Sequence, residues 1–244
     1  MCENCHDGVP PTGAAAHRCC GCADAGFVRY ARPLDHPRFG KAELCPDCHG
    51  QKAYENPPED DPEKRARIPV RFRGVTFLDW LPETGRERQS CEAYVESWPP
   101  AKPALLLMGL KGTGKTTLAC AVMRAAAMRH GVAAQFWPVI DLLDRYRATF
   151  DEDRATETVA QIDAHLAKFD LLVLDDWGTH KGTDWAGERL FRLVDERYRD
   201  SRPLIITTNV TLQEMDGRVK SRMSDVKVSQ MVNFAGRDMR EVTA

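Results

Sequence analysis

An α/β fold, with a parallel sheet flanked by helices behind a small metal-organised module, follows from three features of this 244-residue sequence. Short apolar runs alternate with amphipathic stretches each long enough for one helix, the pattern of parallel strands joined by crossovers. Gly109 to Thr116 reads GLKGTGKT, a complete phosphate-binding loop between a strand-like run and a helix-like stretch. Seven of the nine cysteines and four of the seven histidines fall before residue 50, while Cys91 and Cys120 stand singly. The cysteines therefore mark a separate unit, and the length suffices for one α/β domain of about 170 residues beside it.

Residues 1–50 show little hydrophobic periodicity and are too few to fold around an apolar core, so metal is expected to organise them. Residues 51–70 include Asn56-Pro57-Pro58-Glu59-Asp60-Asp61-Pro62 and read as an extended linker. Residues 71–244 form the larger domain. Its apolar lead-in is Phe72, Val75, Phe77, Leu78 and Trp80, and a helix-like stretch from Glu87 to Trp98 stops at Pro99-Pro100. Strands are predicted at Ala104–Met108, Ala134–Trp137, Asp170–Leu174 and Leu204–Thr208, with a fifth at Val226–Val232. Helix follows the phosphate loop from Lys115 to Arg129. Between Asp141 and Lys168, Leu142, Leu143, Tyr146, Ile162 and Leu166 recur at helical spacing, more helix than one crossover needs.

The loop predicts an ATP or GTP site. Gly109, Gly112 and Gly114 let the backbone turn tightly and aim N–H groups at phosphate oxygens, while the helix behind adds its positive end. Lys115 is expected to bridge the β- and γ-phosphates and Thr116 to ligate magnesium, with Thr113 and Thr117 completing the nucleotide-contacting set. Leu171-Leu172-Val173-Leu174 is a buried-strand pattern ending in Asp175 and Asp176. Asp175 suits magnesium through water, and Asp176 is placed to polarise the attacking water. Thr207-Thr208-Asn209 ends a third apolar run. If that strand lies between the phosphate loop and the Asp175 strand, Asn209 reaches both γ-phosphate and water. Arg218 and Arg222 share one face if helical, and such an arginine stabilises phosphoryl-transfer charge on a neighbouring subunit. Trp177 and Trp185 are read first as packing at the sheet edge; with Lys181 they combine rings with a cation, so stacking bases is the alternative.

GLKGTGKT, LLVLDDWG, WAGERLFRLVDERY, LIITTN and GRVKSRM together resemble the DnaC and IstB branch of the AAA+ ATPases, over roughly residues 68 to 244. The resemblance implies an AAA+ P-loop sheet, self-association through ATP-bound interfaces, Arg222 as the interface finger and Arg240 as a second sensor, with Arg237 its rival. It also implies a role for the extra helix of 141–168 in assembly and in a DNA-lined channel; residue by residue, packing in the core is an equal reading of Leu142, Leu143, Tyr146, Ile162 and Leu166. Replication members of this branch, bacterial and phage, load a hexameric helicase onto single-stranded DNA. Many AAA+ enzymes carry Glu where Asp176 stands, so slow, assembly-dependent or DNA-dependent hydrolysis is expected. Only 35 residues follow Asn209, so little or no C-terminal helical lid is expected.

Cys19-x2-Cys22 and Cys45-x2-Cys48 are separated by 22 residues and together supply four thiolates for a tetrahedral zinc site. Cys2-x2-Cys5 is a third pair, so Cys2, Cys5, Cys19 and Cys22 form the alternative set, with Cys20, His6, His17 or His49 as substitutes. Gly26-Phe27-Val28 and His36 to Lys41 resemble zinc modules of phage loaders, which favours the later two pairs. Cys2 to His6 and Cys45 to His49 also match covalent haem attachment, a reading that needs export.

Net charge is −2, which disfavours a strongly basic, unassisted nucleic-acid binder. No leader and no apolar stretch near the ~20 residues of a membrane span are visible, so a cytoplasmic protein with reduced cysteines is expected. By resemblance the zinc module grips the helicase and the ATPase domain holds DNA. The alternatives are a transposition helper ATPase, whose relatives generally lack a Cys-rich start, and an adaptor switched by nucleotide without significant hydrolysis. A small-molecule P-loop kinase leaves Asn209, Arg222 and the zinc module unexplained.

Overall fold

The computed structural model describes residues 62–80, 85–150, 155–178 and 184–235, together with two short strands in the cysteine-rich part. The chain divides into two units, Met1–Pro62 and Glu63–Ala244. In the first, β1 (Phe27–Val28) pairs antiparallel with β2 (Glu43–Leu44), between the two later cysteine pairs. All seven of its cysteines lie outside the described residues.

From the boundary at Pro62 come α1 (Pro62–Arg65) and two short 3₁₀ turns, Val70–Phe72 and Phe77–Asp79. There follow α2 (Arg86–Glu96), β3 (Ala104–Gly109), α3 (Lys115–His130), β4 (Ala134–Pro138), α4 (Val139–Arg147) and α5 (Val159–Leu166). The chain continues through β5 (Leu171–Trp177), α6 (Asp184–Arg199), β6 (Leu204–Thr208), α7 (Gly217–Met223) and β7 (Ser229–Phe234). The sheet order is β4-β5-β6-β3-β7 and every pairing is parallel. β6 thus separates the phosphate-loop strand from the acidic strand, as the role expected of Asn209 requires.

Alternate residues of each strand feed opposite cores, which is why the strands read as almost unbroken apolar runs. Leu105, Leu107, Val173 and Ile205 face α2, α3 and the lead-in, while Leu106, Leu172, Leu174 and Ile206 face α4 to α7. α3 is sandwiched between sheet and α2, so Leu118, Ala119, Ala121 and Val122 on several of its sides are all buried. At the N-terminal edge of the sheet the buried Arg197 donates to the carbonyls of Phe169 and Asp170 before β5 and of Pro203 before β6. That cation ties the two strands together where they enter the sheet.

The linker expected over 51–70 extends too far. Ile68 is only 3% exposed, the Phe136 N–H donates to the Ala66 carbonyl (2.8 Å), and the Arg67 guanidinium lies 3.7 Å from the Trp137 ring centroid. With the ion pair between Glu63 and Arg124, these contacts strap residues 63–68 across the outer edge of β4. Pro and charge content alone did not reveal that an edge strand needed covering. The fifth strand starts at Ser229 rather than Val226, because Asp225 accepts from the N–H groups of Lys227 and Val228 and closes a turn there. The helical stretch of 141–168 is two helices, the second opened by a Thr158–Gln161 capping box.

Candidate nucleotide-binding site

β3 delivers the phosphate loop at its C-terminal end, where open parallel sheets present ligand sites. Gly114 caps α3 at φ 85°, and a Cβ built on it would run into the Trp80 ring. Gly109 meets the Phe234 carbonyl oxygen, 2.5 Å from where a Cβ would stand. Trp80 and Phe234 pack edge to face at 5.4 Å, so a rigid aromatic pair backs the loop from outside.

Lys115 is buried, and its ammonium donates to the carbonyls of Gly109 (2.8 Å) and Leu110 (2.6 Å). Thr113 turns inward, its hydroxyl donating to Leu110 O at 2.9 Å, and braces the loop. The Thr116 hydroxyl donates to Asp175 Oδ1 at 2.9 Å, joining the start of α3 to the end of β5. Asp175 Oδ1 also accepts from the Thr207 hydroxyl at 2.6 Å. Burial raises the Asp175 pKa above the ordinary carboxylate value; the Thr207 and Thr116 hydroxyls oppose that, Asp176 adds to it, and Lys115 opposes it.

These groups surround a cleft of about 580 Å³. One wall is the loop and helix start, Lys111, Gly112 and Gly114 to Thr117; the opposite rim is Asp175, Asp176, Thr207 and Asn209. The third side is the lead-in, with Arg71, Phe72, Asp79 and Trp80. Asp175, Asp176, Asn209, Lys115, Thr116, Thr117, Gly112 and Gly114 thus meet in one place, while Gly109 lies beneath the loop. Cation and anion face each other across the cleft, the arrangement a metal-bound phosphate chain needs.

Three residues of this site carry no motif. Thr207 sits inside the polar strand end singled out for Asn209, and only the β5–β6 register reveals its contact with Asp175. Trp80 and Arg71 belong to a lead-in whose apolar spacing spoke for packing alone.

Arg222 stands apart from the cleft lining. On α7 its Nε and Nη2 both donate to Asp195 Oδ1, at 2.9 and 2.8 Å, and its guanidinium lies 5.1 Å from the Tyr198 ring. Arg218 stacks on Phe191 at 4.5 Å. The packing reading of Trp177 holds: the residue is 4% exposed, because β5 runs on past Asp176 and carries it into the core, which leaves no face for stacking a base. Trp185 is half-buried against the exposed Phe150, ring centroids 4.7 Å apart. Lys181, Arg237, Arg240 and Cys2, Cys5, Cys19, Cys22, Cys45 and Cys48 lie outside the described residues. Among the described residues no helix is long and apolar enough to cross a membrane.

The profile of the family described as "IstB-like ATP binding protein" matches residues 84–230. An insertion sequence IS1162 putative ATP-binding protein of Pseudomonas fluorescens is 34% identical over 113 residues, 46% of this chain and 46% of that protein. The replicative helicase loader DnaC of Escherichia coli (strain K12) is 28% identical over 132 residues, 54% of this chain and 53% of that protein. The chain therefore spans about half the length of these relatives. Among solved structures, the DnaC helicase loader superposes with a TM-score of 0.59 at 23% identity, covering 68% of this chain and 99% of that one. That likeness concerns the fold.

Proposed function

Since the chain belongs to the IstB-like ATP-binding protein family, we propose that it is an ATP-dependent loader of a hexameric replicative helicase onto single-stranded DNA. The observation that carries the ATP part is the junction of phosphate loop and acidic strand, where Thr116 and Asp175 meet at 2.9 Å. These two oxygen donors beside the loop fit a small hard cation, and Asp175 is a buried carboxylate whose ionised form a cation would favour. Thr116 and Asp175 would hold Mg²⁺, which on binding neutralises developing phosphate charge.

Lys115 exchanges its loop carbonyls for β- and γ-phosphate oxygens. Asp176, on the exposed rim of the cleft, orients the attacking water and takes its proton, while Asn209 bridges that water and the γ-phosphate. The short Asp176 side chain makes turnover slow. Arg222 completes the site of a neighbouring subunit, so hydrolysis follows assembly, with Arg240 as second sensor. Zinc held by Cys19, Cys22, Cys45 and Cys48, or by the set with Cys2 and Cys5, organises the helicase-gripping module.

The Cys-rich start favours this reading over a transposition helper; the 34% identity to the IS1162 protein favours the helper. Light scattering on a sizing column decides between them, with protein and the host's replicative helicase in ATP, ADP or no nucleotide. A defined complex, lost in Cys19→Ser/Cys22→Ser while ATP still binds, supports the loader. Absence of a complex, with ATP-driven assembly on duplex DNA, supports the helper. An adaptor without significant hydrolysis is indicated if Asp176→Asn leaves cellular activity unchanged.

A further inference from the structure

β5 and β6 lose register where the two carboxylates stand. Leu174 pairs with Ile206 and Trp177 with Thr208, so three steps along β5 answer two along β6. One extra residue has entered β5, the definition of a β-bulge. Asp175 and Asp176 together oppose the single residue Thr207, and Asp176 takes φ 60°, a left-handed conformation that Asp tolerates better than most side chains.

The bulge explains why two consecutive carboxylates line one cleft. In an unbroken pleat, neighbouring side chains point to opposite faces of the sheet, and one carboxylate would be turned toward the helices behind it. A bulge also withdraws a backbone N–H from the ladder. Here the Asp176 N–H donates to Thr207 Oγ1 at 2.9 Å, and the same hydroxyl donates to Asp175 Oδ1 at 2.6 Å. One hydroxyl thus uses its acceptor and donor capacity at once. Thr207 is 1% exposed, so water has poor access to replace it.

The geometry points to Thr207 as the positioning residue of the cleft, a clamp that holds the β5 bulge and through it sets both the Asp175 carboxylate and the Asp176 backbone. The inference rests on the ATPase reading above. It assigns to Thr207 an action through the two aspartates, distinct from contact with nucleotide.

The test compares Thr207→Val, which keeps the shape and removes the hydroxyl, with Thr207→Ser, which keeps the hydroxyl. A fluorescent ATP analogue is titrated with Mg²⁺ and with EDTA, and single-turnover hydrolysis of ATP is followed. For Thr207→Val, affinity in EDTA stays within about twofold, while the Mg²⁺ enhancement and the turnover rate each fall at least tenfold, the usual cost of removing a group that orients a ligand. Thr207→Ser restores both. The clamp is overturned if the valine variant keeps its Mg²⁺ enhancement and rate, or if serine fails to rescue at unchanged Tm. Should valine prevent folding, alanine against serine gives the same comparison. A wild-type protein without hydrolysis sinks the ATPase reading, while the ratio of affinities with and without Mg²⁺ still decides the clamp.

Discussion

The phosphate loop and the β5–β6 rim face each other across one cleft and are built by opposite means. The loop works with backbone: its glycines are fixed by what presses on them, Trp80 on Gly114 and Phe234 on Gly109. The rim works with side chains, and its one hydroxyl, one bulge and two carboxylates depend on pairing between strands some thirty residues apart. The first half is therefore intolerant of added volume, whereas the second is intolerant of lost polarity at constant volume.

Adding one methyl to the backbone half gives the largest effect. Gly114→Ala places a Cβ in the Trp80 ring at φ 85°. Left-handed strain and overpacking together should cost about 2–5 kcal/mol, read as a drop in Tm, with nucleotide affinity lost. Combining it with Trp80→Leu separates the causes. Recovery of stability assigns the loss to the ring, and no recovery assigns it to the backbone angle.

Changing the rim at constant volume leaves folding and metal-free nucleotide binding intact and strikes the Mg²⁺ response and the chemistry. Asp176→Asn should bind ATP as the wild type does and lower single-turnover hydrolysis by about 10²-fold, the low end for removing a general base. Equal hydrolysis by the variant would end the assignment of Asp176. Asp175→Asn should leave affinity in EDTA unchanged and reduce the Mg²⁺ enhancement by about 10-fold to 100-fold. A matching loss in EDTA would mean that the rim supports the loop itself, and the two halves would no longer be separable.

The same division governs what could be read in advance. GLKGTGKT names its own geometry, because glycine spacing is a statement about backbone. The four strands β3 to β6 and the covering helices were legible from apolar period for the same reason: burial on both faces leaves its mark residue by residue. Thr207 was not, since no local pattern shows that one extra residue in β5 brings two aspartates opposite one threonine. The same bulge carries Trp177 into the core, three residues beyond the predicted strand end at Leu174. Residues 63–68 looked like linker because charged side chains hide a backbone that covers β4. Arg222 was legible as a cation, but its partner Asp195 lies a helix away and only packing joins them.

The smallest effect concerns the resting protein. Burial raises the Asp175 pKa, so the folded state holds that proton more tightly than the unfolded chain does. Stability from this group is complete below the ordinary carboxylate value, declines as pH rises through the raised folded value, and is constant above it. Asp175→Asn has no such titration and keeps an oxygen to accept from Thr116 and Thr207. Its Tm should therefore exceed the wild type's near neutrality by at most a few degrees, with the gap closing on acidification. Mg²⁺ with nucleotide should reverse the order, because the carboxylate adds stabilisation in the wild type that the variant loses with its Mg²⁺ enhancement. A variant less stable at neutral pH would show instead that the two hydroxyl bonds outweigh burial, and that the rim, like the loop, is a structural element first.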